Sequence, residues 1–186
     1  MTNGWSPSKR NNPYANSGIV VSVEPKDLPN YSEKDPFVCL DFQKKVERDC
    51  WEVAGKTQQV PAQRMIDFVE GKISKDFPKT SYQPGIVSVD LNTVLPPMIS
   101  KRLRKAFSLY GKKMKGYFTN EAVLHAPESR TSSPISIPRN LETLEHVNVK
   151  GLYPCGEGAG YAGGIISAAI DGINCVDAIS AKLTKL

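Results

Sequence analysis

Between Gly156 and Gly164, five residues of nine are glycine: Gly156, Gly158, Gly160, Gly163 and Gly164. Glycine gives up more chain entropy on ordering than any other residue. Such a density implies left-handed turns, or something lying directly against the backbone. A short apolar run, Gly151-Leu-Tyr-Pro-Cys155, leads into the cluster, and one carboxylate, Glu157, sits inside it. From Ile165 the chain is rich in small residues and reads as a helix almost to Leu186. Any fold for this chain must place a strand-like run, a glycine turn and a closely packing helix in that order.

Gly158-Ala-Gly160-Tyr-Ala-Gly163 satisfies the G-x-G-x-x-G pattern of dinucleotide-binding units. That pattern needs a second parallel strand after the helix, with an acidic residue at its end about twenty residues on. No such strand follows here, and Asp177, at about the right distance, falls inside the helical pattern. The segment is therefore read as the closing strand and helix of an α/β unit, not the opening one. Amides at a helix N-terminus are unpaired and lie at the positive end of the macrodipole, so they suit an electron-rich oxygen. Gly163 and Gly164 would let a ligand reach those amides, and Glu157 would accept hydrogen bonds from ligand hydroxyls. On the residues alone, a ligand-free strand-to-helix turn with Glu157 as a cap is an equal reading.

The preceding 150 residues alternate helical and extended patterns. Met1 to Asn16 is polar and rich in breakers, and reads as loop. Gly18 to Glu24 is β-branched and reads as a strand. Asp35-Pro36 opens a helix with Cys39, Phe42, Val46, Cys50 and Val53 on one face and Gly55 as its stop. Pro61 to Glu70 reads as a second helix ended by Gly71, and Ile86 to Val89 as a strand. Asp90 caps a turn of helix over Leu91 to Leu95. Pro96-Pro97 starts a longer helix striped by Ile99, Leu103, Phe107 and Tyr110. Glu121 to Ala126 and Ser133 to Ile137 read as strands, and Leu141 to Val149 is ambiguous. The result is an α+β arrangement.

Apolar content of 40% and charged content of 23% are globular values. No stretch has the length of a membrane span, and the polar N-terminus is unlike a signal peptide. The four cysteines are Cys39, Cys50, Cys155 and Cys175, scattered without metal spacing. Cys39 and Cys50 on one expected helix and Cys175 on another read as buried thiols of a reducing, cytoplasmic compartment, and no metal site is expected. Part of the net charge of +5 gathers at Lys101-Arg102-Leu-Arg104-Lys105 and Lys112-Lys113-Met-Lys115. Without interleaved aromatics this reads as a solvated helix face, not a nucleic-acid surface.

The 23-residue run Gly151 to Ile173 resembles the C-terminal FAD-binding segment of a family of bacterial FAD-dependent dehydrogenases. That family belongs to the glutathione-reductase-like flavoproteins with two dinucleotide-binding domains. Weaker similarities occur in order upstream, at Ala15-Asn16-Ser17, Pro61-Ala-Gln-Arg64, Tyr82-Gln-Pro-Gly-Ile86 and Ser129-Arg-Thr-Ser-Ser-Pro134. The resemblance implies a division of the chain into a leading loop (1–17), an α+β cap or substrate domain (18–150) and a return segment (151–186). The return segment would supply the last strand and helix of an α/β FAD-binding domain.

The resemblance further implies FAD as cofactor, NADH or NADPH as a candidate electron donor, and a small-molecule substrate. Gly156, Glu157, Gly158, Gly163, Gly164 and Ile165 would then border the flavin. Glu157 would bond the ribityl or ribose chain, and the amides around Gly163, Gly164 and Ile165 would face the pyrimidine edge. Asn16 is a weaker candidate for flavin contact. Arg130 is the one weak catalytic candidate: it would bind an acidic substrate or polarise a carbonyl, or else form a salt bridge. His125 and His146 receive no role. The chain departs from the family in lacking an N-terminal dinucleotide fingerprint. It is therefore expected to be a fragment that partners its own missing N-terminal FAD-binding region and is inactive and flavin-free alone. The rival expectation is a stand-alone binding module whose basic helix contacts RNA or another acidic partner.

Overall fold

The computed structural model of the chain describes residues 1–4, 7–29, 31–32 and 34–184. Trp5 and Ser6 of the expected leading loop, and Lys185-Leu186 after the last helix, lie outside the described residues. The elements run α1 (Val38–Val53), β1 (Val60–Arg64), α2 (Met65–Glu70), β2 (Ile86–Ser88), α3 (Leu91–Val94), α4 (Pro97–Lys113), β3 (Val123–His125) and α5 (Ile165–Leu183). A 3-10 turn at Pro25–Asp27 precedes them. The chain is a mixed α/β structure with two compact units, one of residues 1–24 and 42–129, the other of residues 25–41 and 130–186.

The first unit is built on a three-stranded sheet ordered β2-β1-β3. The central strand β1 runs parallel to β2 and antiparallel to β3, with Ala62 opposite Ser88 on one side and His125 on the other. Pro61 lies in this central strand, where proline is unusual. Its carbonyl accepts the Ala126 N–H at 3.1 Å, so the ladder uses the group that proline retains. The sequence expectation of a helix beginning at Pro61 is corrected accordingly: Val60–Arg64 is strand, and the helix begins at Met65.

Val46 and Cys50 of α1, Met65 and Phe68 of α2, Leu91, Leu95 and Phe107 form the core, with Phe68 and Phe107 edge to face at 6.1 Å. Gln63 is fully buried and satisfied at both ends, donating to the Lys72 carbonyl at 2.7 Å and accepting from the Leu91 amide at 2.8 Å. Arg64 binds the Asn120 carbonyl at 2.6 Å and the Asp76 carboxylate at 2.6 Å. Two of the short matched pieces therefore have structural roles: Pro61 to Arg64 is the central strand, and Tyr82 to Ile86 is the turn into β2.

Several local expectations hold. Asp90 caps α3 through the Asn92 amide; the Asp35 carboxylate accepts the Phe37 amide, although α1 begins at Val38 and not at Pro36 as expected. Gly71 closes α2 in the left-handed region at φ 71°. Gly18 to Glu24, Ser133 to Ile137 and Gly151 to Cys155 are not strands. Their β-branched or apolar composition matches a strand, but no partner backbone among the described residues pairs with them in a ladder. In α4, Arg102 donates to the Ser22 carbonyl and Arg104 to the Val69 carbonyl, so two members of the basic cluster bind their own unit. No helix among the described residues is long and apolar enough to cross a membrane.

Candidate functional site

In the second unit an ion pair ties the glycine loop to α5. Arg139 follows a proline-bounded extended stretch, and Asp171 is the only charged residue between Ile165 and Val176 of α5. Arg139 Nη2 meets Asp171 Oδ1 at 2.6 Å and Nη1 meets Oδ2 at 3.0 Å. The same Nη1 donates to the Pro154 carbonyl at 2.7 Å, and the guanidinium lies 3.6 Å from the Tyr161 ring centre. Both side chains are nearly buried. The guanidinium holds the Asp171 carboxyl below its ordinary range, aided by the Gly156 N–H, and Asp171 in turn raises Arg139. Two-point pairing of this kind gives orientation as well as energy. Here it orients the glycine loop on α5, because Pro154 and Gly156 are both held by it.

The loop itself is a pair of tight turns. Gly160 N–H donates to the Glu157 carbonyl at 2.9 Å and Tyr161 N–H to the Gly156 carbonyl at 3.0 Å. Residues 133–137 lie along it: Ile137 N–H reaches the Ala159 carbonyl at 3.1 Å, and the Tyr161 hydroxyl reaches the Ile137 carbonyl at 2.8 Å. The glycines then fall into two groups. Gly156 and Gly160 have φ of 72° and 85°, and a Cβ on Gly160 would stand 2.7 Å from the Ile135 carbonyl. Fold geometry accounts for both. Gly158 and Gly163 have neither a left-handed φ nor an atom within 4 Å of a built Cβ, and a Cβ on Gly164 would meet only the Ser167 hydroxyl at 3.6 Å. The fold among the described residues does not demand glycine at these positions.

Those open glycines surround the start of α5. Gly164 is the extended cap, with its N–H donating to Ser167 Oγ at 3.1 Å and its carbonyl accepting from Ala168 at 2.9 Å. The Gly164 amide is thus engaged, and the open donors of the first turn are those of Ile165, Ile166 and Ser167. Glu157 is exposed, and its carboxylate makes no hydrogen bond or ion pair among the described residues. Of the expected site residues, Gly156, Glu157, Gly158, Gly163, Gly164 and Ile165 share this loop and helix start. Arg130 belongs to the same unit and is exposed; Asn16 belongs to the first unit, beside Gly4.

Sequence reasoning missed Arg139, Asp171 and Tyr161. A signal for Asp171 was present, since a lone carboxylate in a run of small and apolar residues needs a buried partner. Of the two histidines, His146 is explained by local hydrogen bonds, whereas the buried Nε2 of His125 has no hydrogen-bond partner among the described residues. His146 Nδ1 accepts the Asn148 and Val149 amides. His125 packs against Tyr82, and burial pushes its imidazole toward the neutral form. No three His, Cys, Asp or Glu side chains among the described residues are grouped to hold a metal.

The helix beyond the loop is unusual. Ile165, Ile166, Ile170, Ile173 and Val176 are each 53–90% exposed, and Cys175 is the buried residue of α5. Ile166, Ile170, Ile173 and Val176 recur three or four apart, so they form one continuous stripe. An exposed aliphatic stripe of this extent is uncommon on the surface of a monomeric protein.

Comparison with known proteins gives the family. Residues 1–131 match the family described as "FAD-dependent protein, C-terminal domain-like". An uncharacterised protein of Clostridium beijerinckii is 38% identical over 184 residues, which is 98% of this chain and 34% of the relative. The chain thus spans about a third of that relative's length. The family match ends before the glycine loop, whereas the likeness to the relative extends across nearly the whole chain. The chain belongs to the FAD-dependent protein, C-terminal domain-like family.

Proposed function

We propose that this chain is the C-terminal part of an FAD-dependent oxidoreductase, and that residues 151–186 close a flavin site whose pyrophosphate-binding half lies in a longer protein. One observation carries the reading: Gly158 and Gly163 are open glycines beside a helix start, with no requirement from the fold for glycine there. A flat cofactor edge laid against that backbone would supply the requirement. The flavin ring carries out the redox chemistry when bound. The chain's residues position and polarise it. The amides of Ile165, Ile166 and Ser167 present donors to a ring oxygen, and the helix dipole favours negative charge there. Glu157 accepts hydrogen bonds from the hydroxyls of the ribityl or ribose chain. Arg139 and Asp171 keep the loop in place on α5.

The aliphatic stripe of α5 supports the same reading. A helix closing a dinucleotide-binding domain packs one face on a sheet, and the second unit has no sheet among its described residues. Full burial of one such aliphatic side chain contributes about 1.5–3 kcal/mol relative to exposure. The sheet of the FAD-binding region in a longer protein is the surface this stripe suits. Membership of the glutathione-reductase-like flavoproteins, dehydrogenase activity on a small molecule, a nicotinamide electron donor and a cap role for residues 18–150 belong to the same proposal. Arg130 and Asn16 remain its weaker site candidates.

Titrating FAD into this chain and into the longer protein tests the proposal. The chain alone should show no saturable binding at micromolar FAD, and the longer protein should purify with flavin. Micromolar affinity in the chain alone, or a longer protein devoid of flavin and unable to take it up, would contradict it.

A further inference from the structure

Independently of any flavin, the second unit brings two thiols together. Cys155 is exposed and Cys175 is buried, and the nearby Cys155 side chain helps to raise the Cys175 thiol. Backbone geometry shows why they meet. The Pro154 carbonyl and Cys175 Sγ share one donor, Arg139 Nη1, at 2.7 and 3.4 Å. On the other side of Cys155, the Gly156 N–H donates to Asp171 Oδ2 at 2.9 Å, one helical turn before Cys175. Both neighbours of Cys155 are thus fastened to the turn of α5 that carries Cys175. Of the other cysteines, Cys39 lies in the first turn of α1, and Cys50 is buried in the core of the first unit.

We propose that Cys155 and Cys175 are a dithiol that closes to an intramolecular disulfide when it meets a small-molecule disulfide, making this turn of α5 a site of reversible oxidative modification. Cys155, the accessible member, reacts first. Its thiolate attacks one sulfur of the reagent, a mixed disulfide forms, and one reagent thiolate leaves and takes up a proton. Cys175 then releases its proton to solvent and attacks Cys155 Sγ. The Cys155–Cys175 bond forms, the mixed disulfide breaks, and the second reagent thiolate leaves and is protonated. Two protein thiols are oxidised and one reagent disulfide is reduced to two thiols.

The surroundings assign the order. Burial pushes the Cys175 thiol above its ordinary range, while the Arg139 guanidinium at its sulfur pulls the other way. Cys175 is therefore the resolving thiol, and Arg139 stabilises its thiolate as that forms.

Oxidised glutathione with the 186-residue chain provides the test. The reduced chain titrates four thiols after denaturation. After oxidation it should lose two, peptide mapping should find Cys155 joined to Cys175, and dithiothreitol should restore the loss. In Cys175→Ser the reaction should stop at a stable glutathione adduct on Cys155. In Cys155→Ser the Cys175 thiol should remain reduced. Mapping of the unsubstituted chain decides the matter even where a variant misfolds. Retention of all four thiols, arrest at the Cys155 adduct, or a bridge through Cys39 or Cys50 would overturn the proposal.

Discussion

Arg139 and Asp171 meet in a two-point ion pair, at 2.6 and 3.0 Å, with side chains only 7% and 12% exposed. Because the same guanidinium binds the Pro154 carbonyl and the same carboxylate binds the Gly156 amide, both ends of Cys155 hang on it. Breaking a buried pair by removing one partner leaves an uncompensated charge and costs about 3–5 kcal/mol. Arg139→Ala is therefore expected to destabilise the second unit by that order. Hydrogen exchange should show faster exchange at residues 154–176 and little change at β1. Unaltered protection of α5 would show that the pair does not hold the loop.

The pair also sets an acid limit. The Asp171 carboxyl titrates lower in the folded chain than its ordinary value, mainly through the Arg139 hydrogen bond. A depressed folded value means that the contribution is fully present above the unfolded pKa, about 3.9, and is lost as pH falls through the folded one. Stability of the second unit should accordingly drop below about pH 4, and Asp171→Asn should flatten that part of the profile. Urea midpoints of both proteins between acid and neutral pH measure this. Parallel profiles for the two would remove Asp171 as the cause.

The two classes of glycine predict opposite outcomes. Gly160→Ala combines a left-handed φ of 85° with a Cβ 2.7 Å from the Ile135 carbonyl. The backbone conformation alone should cost about 1–2 kcal/mol. Gly158→Ala meets open space at an ordinary φ, so chain stability should stay within about 0.5 kcal/mol. Thermal unfolding of the two variants against the parent chain measures the contrast. Equal destabilisation would mean that Gly158 is a fold requirement after all.

Legibility in the sequence followed locality. The helices α1 and α4 were readable because periodicity acts within a few residues: Val46 and Cys50 are buried on one face of α1, and Phe107 is buried as the α4 stripe required. Pro61 misled because proline starts helices and ends strands on average, whereas here tertiary pairing to Ala126 uses its carbonyl. Gly151 to Cys155 reads as a strand by composition but finds no ladder partner among the described residues. The glycine loop was legible as a place of close approach. Its anchor was not, because Arg139 and Asp171 are 32 positions apart and neither carries a motif.

The exposed stripe of α5 yields a further expectation. Ile170→Glu and Ile173→Glu replace side chains that are 53% and 61% exposed. Stability of the 186-residue chain should change by no more than about 0.5 kcal/mol for each. In the longer protein the same changes would place a carboxylate against a packed sheet and should give insoluble or flavin-free material. Normal flavin content in the longer Ile173→Glu protein would exclude this stripe from the docking surface.

The most direct test of the central claim is the flavin content of the longer protein carrying Gly163→Val, read from its visible absorption after gel filtration. A Cβ built at Gly163 has no atom of the described residues within 4 Å, its chain neighbours aside, so the variant should fold, elute as the parent does and lose its flavin. A Gly163→Val protein that elutes normally with full flavin occupancy would contradict the account, because the open backbone beside Ile165 would then face no cofactor.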